Sequence, residues 1–86
     1  MQSVKLTTSE QVCLRSCLFW GLAVLKGNGD GSVQVYDELV NESPTTNELL
    51  PPLNDADTTI VLLPRPIICT RGLYVDTTAT VYVFYE

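Results

Sequence analysis

The sequence predicts an all-β domain, a small β-sandwich or a jelly-roll or Greek-key-like barrel of about six or seven short strands. Three observations predict it. The last third of the chain is dense in Val, Ile, Thr and Tyr, residues that suit a pleated, half-buried surface. Ser32-Val33-Gln34-Val35-Tyr36-Asp37 alternates polar and apolar with the period of a strand. Between the apolar runs stand clusters of Gly, Asn, Asp and Pro, and no run carries a convincing helical stripe. A chain of 86 residues holds one core, so residues 1–86 form a single domain with a long irregular loop at 41–57.

Residues 9–26 admit two readings. As a helix, Ser9 would cap it and Leu14, Cys17, Leu18 and Leu25 would fall near one side. Gly21, the aromatic pair Phe19 and Trp20, and apolar character all round weaken that helix. The preferred reading takes Gln11–Leu14 and Leu18–Lys26 as strands, with residues 9–17 left open between strand and helix. In the second strand Leu18, Trp20, Leu22 and Val24 point one way and Phe19, Ala23 and Leu25 the other, so both faces expect cover. Gly27-Asn28-Gly29-Asp30-Gly31 follows, and Gly and Asn accept the positive φ of tight turns. Strand, glycine-rich turn and alternating strand together predict a β-hairpin over residues 18–37.

The segment 41–57 is broken by Pro44, Pro51 and Pro52, which exclude a regular strand or a long helix. Its middle, Leu49-Leu50-Pro51-Pro52-Leu53, is too apolar for a solvated connector, so these leucines must cover their own core or a neighbour. Contact of residues 44–53 with a neighbouring chain through Leu49, Leu50 and Leu53 is the expectation. Three or four strands are then predicted: Thr58–Leu63, Pro66–Thr70, Leu73–Asp76 and Ala79–Tyr85. Pro64 and Pro66 bracket Arg65 and force a bend, while Gly72 marks a bulge or a close backbone approach.

Composition excludes several functions. A net charge of −5, with Lys5, Arg15, Lys26, Arg65 and Arg71 scattered, argues against nucleic acid as a partner. Polar Thr7, Thr8, Ser9 and Glu10 after Lys5 replace the apolar core of a secretory signal. Val12–Leu25 is too short for a membrane span and holds Arg15 and Ser16. With no histidine, Ser–His–Asp and Cys–His arrangements cannot form within the chain. Asp55 with Asp57 and Asp37 with Glu38 read as solvated surface acids, since catalysis needs burial to split their pKa values and Asn54, Ala56 and Thr58 supply no pocket. Asn28-Gly29-Asp30-Gly31-Ser32 lacks the ligand run and distal Glu of a calcium loop, and the glycines lack the Lys-Ser/Thr of a phosphate loop. Three cysteines are too few for a zinc site without histidine. Cys13 and Cys17 on one strand would stand about 13 Å apart, beyond disulfide reach. They and Cys69 read as reduced, buried small hydrophobes. No catalytic residue, cofactor or metal ligand is assigned.

What remains is surface. In the last strand Tyr82 and Phe84 face one side and Val81, Val83 and Tyr85 the other. Two apolar faces exceed what a thin sandwich hides, and surplus apolar surface marks a protein-contact site, with Tyr82 and Tyr85 as its candidates.

Several stretches resemble small virion structural proteins of tailed bacteriophages. They are Val33-Gln34-Val35-Tyr36-Asp37, Leu63-Pro64-Arg65-Pro66-Ile67, Arg71-Gly72-Leu73-Tyr74-Val75 and Thr80-Val81-Tyr82-Val83-Phe84-Tyr85, spread over residues 18–85. The segment Leu49–Leu53 does not match that pattern. The resemblance implies a β-sandwich repeated on a particle, as capsid decoration (cement) or as a tail or fibre component. Its partners would be the major capsid protein or tail proteins and copies of itself, in a virion assembled in the host bacterial cytoplasm. A soluble module for a host protein or carbohydrate is the alternative from another class. An enzyme subunit or inhibitor is a third.

Overall fold

The computed structural model describes residues 1–39 and 47–86. Apolar runs with the period of two form eight strands among these residues: β1 (Gln2–Leu6), β2 (Glu10–Cys13), β3 (Cys17–Val24), β4 (Ser32–Tyr36), β5 (Leu53–Asn54), β6 (Thr59–Cys69), β7 (Leu73–Thr77) and β8 (Val81–Tyr85). They make two four-stranded sheets, β1-β8-β3-β6 and β2-β7-β4-β5. Every pairing is antiparallel. The pairs β1/β8, β2/β7, β3/β6 and β4/β5 describe one long hairpin rolled into two layers, and β3/β8 and β4/β7 close the sheets. That winding is the jelly roll. The expected all-β sandwich is therefore the fold, with eight strands where about six or seven were expected. Gln2–Leu6, to which the sequence assigned nothing, adds an edge strand, and Leu53–Asn54 adds a short one inside the irregular loop.

The inner faces supply the core. Phe19, Leu22, Val24, Val33, Val35, Leu73, Val75, Val81 and Val83 are all at most 1% exposed. Each such side chain contributes roughly 1.5–3 kcal/mol by leaving water.

Two expectations are overturned. The hairpin over residues 18–37 does not form, because β3 and β4 lie in different sheets. The glycine-rich segment is an arch over one end of the sandwich, wrapped around Asp55. The Gly27 N–H donates to the Asp55 carbonyl (2.7 Å), and the Asp55 N–H donates to the Gly31 carbonyl (3.1 Å). The Asp55 carboxylate accepts the N–H groups of Gly29 (2.9 Å) and Gly31 (3.0 Å). A Cβ on Gly27 or Gly31 would run into that carboxylate, so these glycines make room for an acid from a distant segment.

The facing of β3 also differs. Phe19, Leu22 and Val24 all point inward, while Leu18, Trp20 and Ala23 are only partly buried. The register shifts between Phe19 and Gly21, so the alternation changes phase at a bulge. Opposite Trp20 the register of β6 jumps from Ile67 to Leu62, leaving Leu63-Pro64-Arg65-Pro66 as the bend. The spans Thr58–Leu63 and Pro66–Thr70 are thus one bent strand, so the C-terminal third holds three strands of the three or four expected. Gly72 is a close backbone approach: a Cβ there would stand 2.6 Å from the Cys13 carbonyl oxygen.

Candidate functional site

The outer face of the β1-β8-β3-β6 sheet is built by residues that alternate with the core. On β6, Ile60, Leu62 and Ile68 are 64%, 66% and 68% exposed. Ala23 pairs with Ile60 and Tyr82, Gly21 with Leu62 and Phe84, and Leu18 with Ile68, so these rows form one apolar surface across three strands. Trp20 belongs to it through the bulge, and its indole N–H donates to the Glu86 carboxylate (3.0 Å). Lys5, paired with Tyr82, stands on the β1 rim. No Asp or Glu lies in any strand of this sheet, whose only charged strand residues are Lys5 and Arg65.

The opposite outer face is polar and internally bonded. Tyr36 and Tyr74 stack with ring centroids 6.4 Å apart, and the Tyr36 hydroxyl donates to the Gln34 side chain. Ser9 Oγ donates to Asp76 (2.7 Å) and accepts the Thr77 N–H (3.0 Å). Burial, with the carboxylates of Glu48 and Asp76 nearby, raises the Tyr36 phenol above its ordinary pKa.

The residues singled out from the sequence separate. Tyr82 lies on the exposed outer face. Tyr85 points inward and packs against the core, as do Leu49, Leu50 and Leu53. Leu53 pairs with Val33, and the Leu49 N–H donates to the Val35 carbonyl (2.8 Å), so this segment edges the β2-β7-β4-β5 sheet. Pro44, Thr45 and Thr46 lie outside the described residues. The exposed row Ile60, Leu62, Ile68 was missed. Its signal was present, since Ile60-Val61-Leu62-Leu63 is apolar on both faces, as is β3, the strand it pairs with.

A second cluster sits at one end of the sandwich. The separation expected of Cys13 and Cys17 fails, because Leu14-Arg15-Ser16 carries the chain from one sheet to the other between them. Cys13 and Cys17 come close enough to act on one another's titration, and Cys17 is the direct partner of Cys69 across β3 and β6. All three are free thiols. Burial, with Cys17 beside it, pushes Cys13 up to about 12, and burial with the Asp37 charge pushes Cys69 up to about 11. Thiols held neutral in this way are poor nucleophiles.

Beside them Asp37 accepts the N–H groups of Thr70 (3.0 Å), Arg71 (2.8 Å) and Gly72 (3.2 Å), closing the β6–β7 turn. Buried Glu38 accepts from Arg71 (3.2 Å) and from Asn47 (3.0 Å). These acids brace loops. Among the described residues no cavity opens, no three His, Cys, Asp or Glu side chains are arranged to hold a metal ion, and no helix is long and apolar enough to cross a membrane.

No family model, curated protein or solved structure matches this chain. The outer apolar face is therefore the candidate site, on geometry alone.

Proposed function

We propose that the protein is a non-enzymatic structural component of a bacteriophage particle, in first place a capsid-decoration (cement) protein that docks through the outer face of its β1-β8-β3-β6 sheet. The observation that carries the docking role is the exposed row Ile60, Leu62 and Ile68, continuous with Leu18, Trp20 and Phe84. Large apolar patches on soluble domains mark contact surfaces. The particle itself is suggested by the sequence resemblance. The jelly roll is compatible with it, being a fold of viral capsid domains, though also of lectins and other proteins. The partners under this reading are the major capsid protein or tail proteins.

The test is quantitative mass spectrometry of purified particles of the phage that encodes the chain. Many copies per particle, in fixed ratio to the capsid protein, are expected. A fixed ratio to a tail protein would move it to the tail or fibre. Absence from particles would reject the reading and favour a soluble module for a host protein or carbohydrate.

A further inference from the structure

We infer that the outer face of the β1-β8-β3-β6 sheet is covered by the same face of a second copy, giving a two-fold, four-layered dimer. The inference rests on reading that face as a contact surface, and it names the occupant.

Charge selects the partner. The chain carries a net −5, so two copies repel each other in most orientations. None of the nine carboxylate residues among the described residues lies in a strand of this sheet. Among the described residues Glu10 and Asp76 sit in the other sheet, and Asp30, Asp37, Glu38, Glu48, Asp55 and Asp57 lie between strands, with Glu86 just beyond β8. Glu86 is already held by the Trp20 indole N–H (3.0 Å). Stacking these two faces keeps Glu10 and Asp76 in the outer layers, away from the interface. Stacking this face on the opposite face of another copy would instead set apolar side chains on Gln34 and Asp76.

Shape and size agree. The β6 edge is closed to strand addition, because Pro64 and Pro66 lack N–H groups and Leu63–Pro66 bend out of register. Four strands at about 4.8 Å spacing and roughly eight residues of rise give about 500 Å² of projected area per copy. A pair then covers about 1,000 Å², the size at which specific interfaces begin. The apolar rows run from the β6 edge strand inward across β3 and β8, and the only charges on the strands are Lys5 on β1 and Arg65 in the β6 bend.

The chain carries its own reporter, since Trp20 is its only tryptophan and lies in the proposed interface. The full chain is diluted from tens of micromolar to tens of nanomolar, with sedimentation velocity and tryptophan emission followed together. A dimer is expected at the upper end, with emission shifting red over the same range in which the dimer dissociates. Leu62→Lys is expected to weaken the dimer roughly tenfold or more, with unchanged circular dichroism and melting temperature. Ile60→Thr with Ile68→Thr is the milder second variant and should weaken it in the same direction.

A monomer throughout overturns the inference. So does a dimer whose Trp20 emission ignores dilution or which both variants leave intact, and so do species that keep growing beyond two copies, the mark of head-to-tail stacking. A solution monomer that is abundant in particles defeats only the dimer. A Trp20-reported dimer that is absent from particles defeats only the phage reading.

Discussion

Single residues in this protein carry structural duties that their neighbours in sequence do not reveal. Gly21 has a φ of 136°, and a Cβ there would overlap the Val61 carbonyl oxygen on the adjoining strand. Gly21→Ala should therefore cost about 3 kcal/mol or more, combining backbone strain with a backbone collision. Gly29, with φ 92° but open space out to Ala56 at 3.9 Å, separates the two effects. Gly29→Ala should cost only about 1–2 kcal/mol, the conformational part. Urea unfolding of both variants checks the difference. Asp37 supplies a pH dependence. Burial of its carboxyl raises the pKa, but the N–H groups of Arg71, Thr70 and Gly72 and the Thr70 hydroxyl outweigh it, and the net shift is downward. A depressed folded pKa means stabilisation that is complete above the unfolded value of about 3.9 and is lost as pH falls through the folded one. Acid unfolding should set in below about pH 4. Asp37→Asn should be less stable at neutral pH and show a shallower acid limb, as melting temperatures across pH would report.

At the scale of elements, the apolar segment before β5 behaves as a strip of the sandwich. Leu49, Leu50 and Leu53 pack on the core, and Leu49 and Leu53 are tied to β4 by a hydrogen bond and a strand pairing. Leu49→Asp with Leu53→Asp should lower stability by several kcal/mol, since each change sets a charge against apolar side chains. An intact melting temperature with weakened assembly would instead show the leucines serving a neighbour. The glycine arch makes a related point. Turn chemistry over Gly27–Gly31 was legible, but turn chemistry is shared by hairpins and arches. The arch is held by Asp55, which lies far along the chain and whose carboxylate accepts the Gly29 and Gly31 N–H groups.

For the whole molecule, the decisive property is how the chain is rolled. Most connections cross from one sheet to the other, so neighbouring strands in sequence rarely pair. The β1/β8 pairing joins Gln2 to Tyr85, nearly end to end. Contacts of such long sequence separation must be closed before they stabilise anything, which slows folding. Refolding from urea should therefore take milliseconds to seconds despite the small size, and stopped-flow tryptophan fluorescence would show it. A microsecond phase carrying the full amplitude would contradict the rolled topology. At the same scale the chain is polarised, with one outer face apolar and free of strand carboxylates and the other polar and hydrogen-bonded.

Local pattern was enough for the all-β class and for most strand segments, because strand propensity, alternation and punctuation are written in neighbouring residues. The apolar surplus on Leu18–Val24 and Val81–Tyr85 was legible for the same reason. Pairing partners were not. Which strand meets which, where Trp20 shifts the alternation, and how Cys13, Cys17 and Cys69 come together all depend on residues tens of positions apart. A bulge of one residue reverses the facing of every later side chain on its strand, and nothing in the run Cys17–Val24 announces it beyond a single glycine. The division of the leucines and tyrosines between core and surface was likewise settled only when two sheets closed on one another. An apolar side chain carries the same hydrophobic drive whether its own domain or another molecule covers it.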